Sequence, residues 1–371
     1  MRSAAILLCL SVPLFSSNRR ISILWEKAGA QGEVQVSRGT LASGKPRFDC
    51  ATQTPCRIDV TVGDSGVALG EAATLVTVSA TPNSFTFFLR DVSNEWPIFI
   101  PEYGVAVTTG DDRRSYAEIE HEIRGRGLQS KLEQVESQPE ESFDDAARNV
   151  RNLQVQTWLG LGRDIRIFAV GERLDWIQPR FHGYEVKLPE AEDKPVRYSF
   201  LTGRGWGPRD QITRRLEEGV LPILQARLVD ENVTYEITAF TTMETSPVRE
   251  GSVRGTHFLV ADGFGHGHMF TPEQQKLHDS LLPAETNQPE ETVLYLRAVA
   301  VNTSRAPAYA FFKHVSPSNV PSSEWKFDGT RGYGVYKSGR VFSVATLDAK
   351  PLPREEAALL LAPGGSAVLD A

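Results

Sequence analysis

The sequence predicts a mainly β protein, a large antiparallel sandwich of two sheets with one short helical insertion. Short runs rich in β-branched and aromatic residues recur along the chain, separated by turn residues about every ten positions. Helical spacing of apolar residues is confined to one stretch. The chain has 371 residues, 40% of them hydrophobic, which is enough for a sizeable core. Its net charge of −7 gives no overall attraction to nucleic acid, which we therefore do not expect as a partner.

The first predicted element is an apolar run from Ala4 to Phe15, which follows the positively charged N-terminus Met1-Arg2. This arrangement is typical of a secretory signal peptide, and the run is too short to span a bilayer as a helix. The nearest small-x-small pattern ends at Ala30, so we expect a leader over residues 1–30 and a periplasmic or extracellular protein. A mis-assigned start or a buried N-terminal strand would explain the same run. We expect no membrane span in the mature chain.

Two cysteines follow the leader, Cys50 and Cys56, with Pro55 between them. The spacing suits a small disulfide-closed loop in an oxidising compartment and differs from that of a zinc knuckle. Free thiols remain the alternative.

Two strand pairs are predicted next. Thr74–Ser79 and Ser84–Val92 flank the turn signal Thr81-Pro82-Asn83. Val220–Val229 and Val233–Thr242 flank a three-residue turn, which indicates a hairpin. In its second strand alternate residues should share one face, namely Val233, Tyr235, Ile237, Ala239 and Thr241.

Later strands are predicted at Val293–Val301, Val341–Leu347 and Ala358–Leu361. In the first of these strands the side chains on both faces are apolar, apart from Arg297. This pattern is typical of a strand in the middle of stacked sheets, where both of its faces are covered. The last leads through Pro363-Gly364-Gly365 into the opening of another strand.

Two segments interrupt the strands. Residues 112–150 form the helical insertion, because Ser115 and Glu118 indicate a capping box and Tyr116, Ile119 and Ile123 repeat at helical spacing. A second helix is expected over Glu140–Val150, and the insertion should lie over a sheet edge or face. Residues 262–291, rich in Gly, His, Pro and Glu, are expected to form a long surface loop.

Candidate carbohydrate contacts occur in two places. Trp96 and Tyr103 lie near Glu102, so their rings would stack on pyranose faces while the carboxylate bonds hydroxyls; acids at strand ends beside core aromatics are the alternative. In a glycine-rich stretch Trp206 would stack on a sugar, with Arg204 and Arg209 as donors. That stretch would equally suit the bracing of a neighbouring domain.

Histidines suggest a metal site at His266 and His268, with His257 and His278 in the flanking sequence. No carboxylate or cysteine stands at a recognised ligand spacing, so a structural or solvent-exposed loop is the alternative. We expect no cofactor. A Gly-x-Ser-x-Gly nucleophile elbow is absent from the sequence, and so is a phosphate-binding loop.

Three stretches carry a family resemblance: Phe85–Val92 followed by Pro97–Val107, Glu218–Ile223 leading into Tyr235–Phe240, and Leu361–Ser366. Together they resemble the N-terminal β-supersandwich of bacterial six-hairpin glycosidase-like proteins, in which an (α/α)6 barrel supplies the catalytic carboxylates. The resemblance covers about residues 60–371 and implies one supersandwich domain over 31–371 without its barrel.

Three functions follow from these features. The first is an accessory sandwich that supports or shapes a glycan cleft without a catalytic centre of its own, with a glycan or an (α/α)6 catalytic domain as partner. The second is a free-standing carbohydrate-binding or surface protein. The third is a complete glycoside hydrolase that uses a carboxylate pair, whose members the sequence does not identify, or the histidine group.

Overall fold

The computed structural model describes residues 18–43, 46–50, 55–64, 73–140, 142, 156–162, 164–181, 184–205, 212–249 and 270–371. The chain forms two compact units, Met1–Glu140 and Glu141–Ala371, where the sequence predicts one sandwich from residue 31 to 371. As expected, the fold is mainly β: the described residues form several antiparallel sheets and three short helices, with no closed barrel among them.

The N-terminal unit contains nine strands and two helices in the described residues. The strands are β1 (Asn18–Trp25), β2 (Gln31–Ser37), β3 (Gly39–Ser43), β4 (Arg47–Asp49), β5 (Cys56–Asp64), β6 (Leu75–Thr81), β7 (Phe85–Phe88), β8 (Ile98–Ile100) and β9 (Val105–Thr109). The helices are α1 (Tyr116–Gly125) and α2 (Lys131–Glu136).

Two sheets share one core in this unit. Their strand orders are β3-β5-β1-β9-β8 and β4-β2-β6-β7. Alternate residues of β1 point into the core, so Ile21, Ile23 and Trp25 are buried beside residues of the other sheet such as Val76 and Phe85. The predicted pairing around Thr81-Pro82-Asn83 is confirmed, with Val78 opposite Phe85 in the ladder between β6 and β7.

The strand β1 lies within the predicted leader. It is the middle strand of the five-stranded sheet and pairs with β5 on one side and β9 on the other. A leader that ended at residue 30 would remove the central strand and the buried Ile21, Ile23 and Trp25 with it. Residues 1–17 of the predicted leader lie outside the described residues.

The helical insertion begins where the sequence places it. Ser115 caps α1 in a capping box with Glu118. The face carrying Tyr116, Ile119 and Ile123 packs on Leu24 and Ala106, on the outer side of the five-stranded sheet. The helix α2 lies within the same insertion, and the helix expected over Glu140–Val150 lies almost wholly outside the described residues.

The C-terminal unit contains 19 described strands and one helix. The strands are β10 (Thr157–Gly160), β11 (Arg166–Val170), β12 (Trp176–Phe181), β13 (Tyr184–Glu185), β14 (Lys187–Leu188), β15 (Lys194–Pro195), β16 (Tyr198–Thr202), β17 (Ile212–Glu217), β18 (Leu221–Asp230), β19 (Val233–Met243), β20 (Thr292–Asn302), β21 (Ala308–Pro317), β22 (Trp325–Asp328), β23 (Tyr333–Tyr336), β24 (Val341–Val344), β25 (Thr346–Leu347), β26 (Lys350–Pro351), β27 (Glu356–Leu361) and β28 (Ser366–Asp370). The helix α3 spans Pro272–Thr286.

Two seven-stranded antiparallel sheets dominate this unit. We call them sheet I, with the order β10-β11-β12-β16-β21-β27 and β13 paired to β12, and sheet II, with the order β17-β18-β19-β20-β28-β25-β26. Both contribute to one core, in which Phe312 of sheet I meets Tyr235 of sheet II with ring centroids 5.8 Å apart. Two small sheets, β14-β15 and β22-β23-β24, complete the unit.

The predicted hairpin is confirmed as β18 and β19, with Asp230 opposite Val233. The five residues expected on one face of β19 are all buried. The strand β20 lies in the middle of sheet II, as its apolar sequence indicates. The predicted strand over Val341–Leu347 is divided between β24 in a small sheet and β25 in sheet II.

A helix replaces part of the expected loop over residues 262–291. Thr271 caps α3 in a capping box with Gln274, and Pro272 occupies its first turn. At the other end, the guanidinium of Arg166 donates hydrogen bonds to the carbonyls of Glu285 and Thr286, which the helix leaves without partners. The loop prediction was wrong for the residues of α3, because it was based on the Gly and Pro content of the segment and not on the capping signal.

No helix in the described ranges is long and apolar enough to cross a membrane.

Candidate functional site

Trp96 contacts an arginine instead of presenting a free ring. The guanidinium of Arg126 lies 4.8 Å from the Trp96 ring centroid, and Arg126 also donates a 2.7 Å hydrogen bond to the carbonyl of Glu95. Arg126 in turn forms an ion pair with Glu122 on α1. One face of the indole therefore packs against an arginine of the helical insertion.

Glu102 and Tyr103 are exposed, Tyr103 by 42%. They lie in a single 3-10 turn, Pro101–Tyr103, that follows β8, whereas Trp96 precedes that strand. Because an extended chain rises about 3.3 Å per residue, the strand separates Trp96 from Tyr103 along the sheet. The structure places Trp96 and Tyr103 on either side of the three-residue strand β8.

Arg204 is held by two acids at the turn between β18 and β19. Its backbone N–H donates to Asp230 Oδ2 at 2.7 Å, its guanidinium lies 3.2 Å from Asp230 Oδ1, and it also pairs with Glu231. These contacts use Nε and Nη2 of the guanidinium, part of the donor set that the sequence analysis assigned to a glycan. Trp206 and Arg209 lie outside the described residues.

The histidine hypothesis falls mostly on residues that the structure does not describe. His257, His266 and His268 lie outside the described ranges, whereas His278 is buried on α3. Within those ranges, no group of three or more His, Cys, Asp or Glu side chains is arranged to hold a metal ion.

The predicted disulfide between Cys50 and Cys56 is formed, and both residues are buried. The backbone N–H of Cys50 donates to the carbonyl of Ala30, and its carbonyl accepts from Gly29. The bridge therefore links the start of β5 to the chain that leads into β2.

Sheet II carries a row of apolar side chains that the sequence analysis did not single out. Ile223, Phe240 and Tyr295 stand opposite one another on β18, β19 and β20, on the face turned away from the core. All three are half-buried, and the Phe240 and Tyr295 ring centroids lie 5.1 Å apart. The sequence places each on the outward set of its strand, but only the register brings them together. We call these three residues, one aliphatic and two aromatic, the aromatic row.

A polar row runs beside the aromatic row. It consists of one residue from each of four adjacent strands, two positions along from the aromatic row: Gln225, Thr238, Arg297 and Asp370. Thr238 Oγ1 donates to Gln225 Oε1 at 2.8 Å, and Arg297 Nε donates to Asp370 Oδ1 at 2.6 Å. Burial tends to raise the pKa of Asp370, but the hydrogen bonds from Arg297 and Tyr295 hold that pKa below its usual value. The carboxylate therefore stays ionised and available as an acceptor at neutral pH.

A buried histidine lies within a second aromatic cluster. His314 on β21 has no exposed surface, and its ring lies 4.4 Å from that of Phe327, centroid to centroid, near Trp325 and Phe342. Its Nε2 has no hydrogen-bond partner, and its Nδ1 lies 3.5 Å from Ser343 Oγ. Burial, with a smaller effect of Lys313, lowers the pKa of His314 to about 4. The imidazole is therefore neutral near pH 7.

Comparison with known proteins adds no relative. No protein-family model matches the sequence, and comparison with curated proteins and with solved structures finds no match.

Proposed function

We propose that the chain is a non-catalytic accessory sandwich of a carbohydrate-active protein and that it shapes the glycan cleft of an (α/α)6 catalytic domain. The observation that carries the proposal is the pair of seven-stranded antiparallel sheets over one core in residues 156–371. Such a pair is the architecture that the resemblance to N-terminal supersandwiches implies. The resembling stretches Tyr235–Phe240 and Leu361–Ser366 lie in or beside this core, whereas Phe85–Val92 and Pro97–Val107 lie in the N-terminal unit.

The contacts of the sequence-predicted residues favour this function over a free-standing binder that uses those residues. Arg204 is engaged by Asp230 and Glu231, and one face of Trp96 is covered by Arg126. Glu102, Tyr103 and Arg204 are exposed among the described candidates. A complete hydrolase has the least support, because it needs two carboxylates that face each other across a substrate. Among the candidate residues that the structure describes, Glu102 is the one carboxylate, so they identify no such pair.

Export to an oxidising compartment belongs to the same proposal. The disulfide between Cys50 and Cys56 supports it, because disulfides persist mainly in secreted and periplasmic proteins. A carbohydrate-active protein that acts on external polysaccharides needs this location.

Cross-linking in the source cells tests the accessory role. We expect mass spectrometry to recover an (α/α)6 domain with paired acids, either on the same polypeptide as this chain or cross-linked to it. Recovery of the chain with no such domain would contradict the role and leave the free-standing binder as the better function.

A separate assay tests the absence of catalysis. The purified chain is incubated with a panel of polysaccharides, and the release of reducing ends is measured against a heat-denatured sample. We expect no release above that control. Release that scales with the concentration of the folded chain would make this chain a hydrolase.

A further inference from the structure

We propose that the outer face of sheet II binds a neutral saccharide across the aromatic row and the polar row. The inference rests on the proposed carbohydrate-associated function and adds the surface and the ligand chemistry. It assigns stacking to Phe240 and Tyr295 and hydrogen bonding to Gln225 and Arg297.

The aromatic row supplies a broad apolar surface on a rigid base. Phe240 and Tyr295 are tilted by 45° to each other and stand on the two most extensively paired strands of the sheet, β19 and β20. Tyr295 is fixed further, because its hydroxyl donates to Asp370 Oδ1 at 2.6 Å and the Arg297 guanidinium lies 5.9 Å from its ring centroid. Fixed aromatic rings lose little conformational entropy on binding, and the C–H face of a pyranose is the kind of flat apolar surface that they accept.

The polar row supplies donors and acceptors at a suitable separation. Positions two residues apart on a strand lie about 6–7 Å apart, so the polar row borders the aromatic row at roughly the width of a sugar ring. Gln225 accepts from Thr238 through Oε1, which leaves its amide nitrogen to donate. Arg297 pairs with Asp370 through Nε and Nη2, which leaves Nη1 to donate, and the Asp370 oxygens retain acceptor capacity.

The charge on this face favours a saccharide over a protein partner. Arg297 is 50% exposed, and the next row along the strands holds the ion pair of Arg227 and Glu236, which are 53% and 55% exposed. The core of a protein interface is depleted of such charged groups, whereas a sugar site combines aromatic surface with a few polar groups. Because each of these charges has an opposite partner, the face matches a neutral sugar better than an anionic one.

Calorimetric titration of the whole chain with cellohexaose, xylohexaose, maltohexaose and laminarihexaose tests the proposal. We expect at least one of them to bind, and Tyr295→Ala to weaken that binding by at least about tenfold because the stacking surface is lost. Tyr295→Phe keeps the ring and should stay within about threefold of the native affinity. Tyr184→Ala is the matched control, because it removes a tyrosine that is 58% exposed on β13, in the other large sheet. This variant should bind the sugar with unchanged affinity.

Binding of none of the four sugars would overturn the proposal, as would native affinity in Tyr295→Ala. If Tyr295→Ala does not fold, Gln225→Ala decides, because it should weaken binding about fivefold; native affinity there also overturns the proposal. A dimer that Tyr295→Ala dissociates, without sugar binding, would assign the face to a second copy of the chain. The cross-linking experiment is independent of these titrations, so sugar binding without a catalytic partner refutes only the accessory role.

Discussion

At the scale of single residues, Asn302 connects the two large sheets of the C-terminal unit. It ends β20 in sheet II and is fully buried. Its Nδ2 donates to the carbonyls of Leu361 and Ala362, where the chain leaves β27 of sheet I for β28 of sheet II. Its Oδ1 accepts from the backbone and the hydroxyl of Ser304. The side chain therefore forms hydrogen bonds with buried polar groups where the chain crosses from sheet I to sheet II, outside the strand ladders of the two sheets.

Asn302→Ala should lower the free energy of unfolding of the C-terminal unit by about 3 kcal/mol, because it leaves buried carbonyls without donors. Urea unfolding measures this loss. Asn232→Ala is the matched control, since Asn232 is exposed at the turn between β18 and β19, and it should change stability by less than about 0.5 kcal/mol. Equal stability of the two variants would show that the amide of Asn302 contributes nothing.

His314 gives the C-terminal unit a dependence on pH. Its pKa of about 4 in the folded chain lies below the unfolded value of 6.5, so the unfolded chain binds the extra proton between these values. The stabilisation by neutral His314 is therefore complete above pH 6.5 and is lost as the pH falls toward 4. The loss amounts to about 3 kcal/mol over that interval.

His314→Leu should remove this component, so that the variant loses about 3 kcal/mol less stability than the native chain between pH 7 and pH 4. Urea unfolding at a series of pH values measures the difference. His121→Leu, which alters an exposed histidine on α1, should keep the native pH profile. A native profile in His314→Leu would mean that another group is responsible.

At the scale of elements, local signals predict those parts of the fold whose cause is local. The capping box at Ser115 and the turn at residues 230–232 are specified within a few positions, and both α1 and the hairpin of β18 and β19 form there. The aromatic row is different, because Ile223, Phe240 and Tyr295 are far apart in the sequence and meet only through ladder register. The contacts that Arg204 and Trp96 make are equally non-local, so the sequence alone does not predict them.

The disulfide should contribute to the stability of the N-terminal unit. It closes a short loop, with a sequence separation of 6, at a point where Cys50 is also hydrogen-bonded to Gly29 and Ala30. Replacement of both cysteines by alanine should cost roughly 2 kcal/mol through greater entropy of the unfolded chain. The measurement is urea unfolding of the N-terminal unit with and without reductant. Reductant should destabilise the native chain and leave the double variant unchanged; a double variant as stable as the oxidised chain would contradict the prediction.

At the scale of the whole molecule, the division into two units escaped the sequence analysis because both units are built from short antiparallel strands. The boundary at Glu140 lies within the segment 112–150, which the sequence analysis interpreted as an insertion into one sandwich. Which strands share a core is decided by long-range pairing, and the two large clusters of buried residues contain no residue in common. Each cluster draws on two sheets, so each unit has the means to fold by itself.

Fragments test this independence and the position of the leader together. Fragments 18–140 and 156–371 should each unfold cooperatively, as measured by urea titration with circular dichroism, because each keeps its complete core. A fragment over 31–371 should lose the transition of the N-terminal unit, since it lacks β1, the middle strand of the five-stranded sheet. If the protein is exported as proposed, N-terminal sequencing of the mature chain should accordingly give a start at or before Asn18. A stable N-terminal unit in the 31–371 fragment would instead restore the leader of 30 residues and make β1 dispensable.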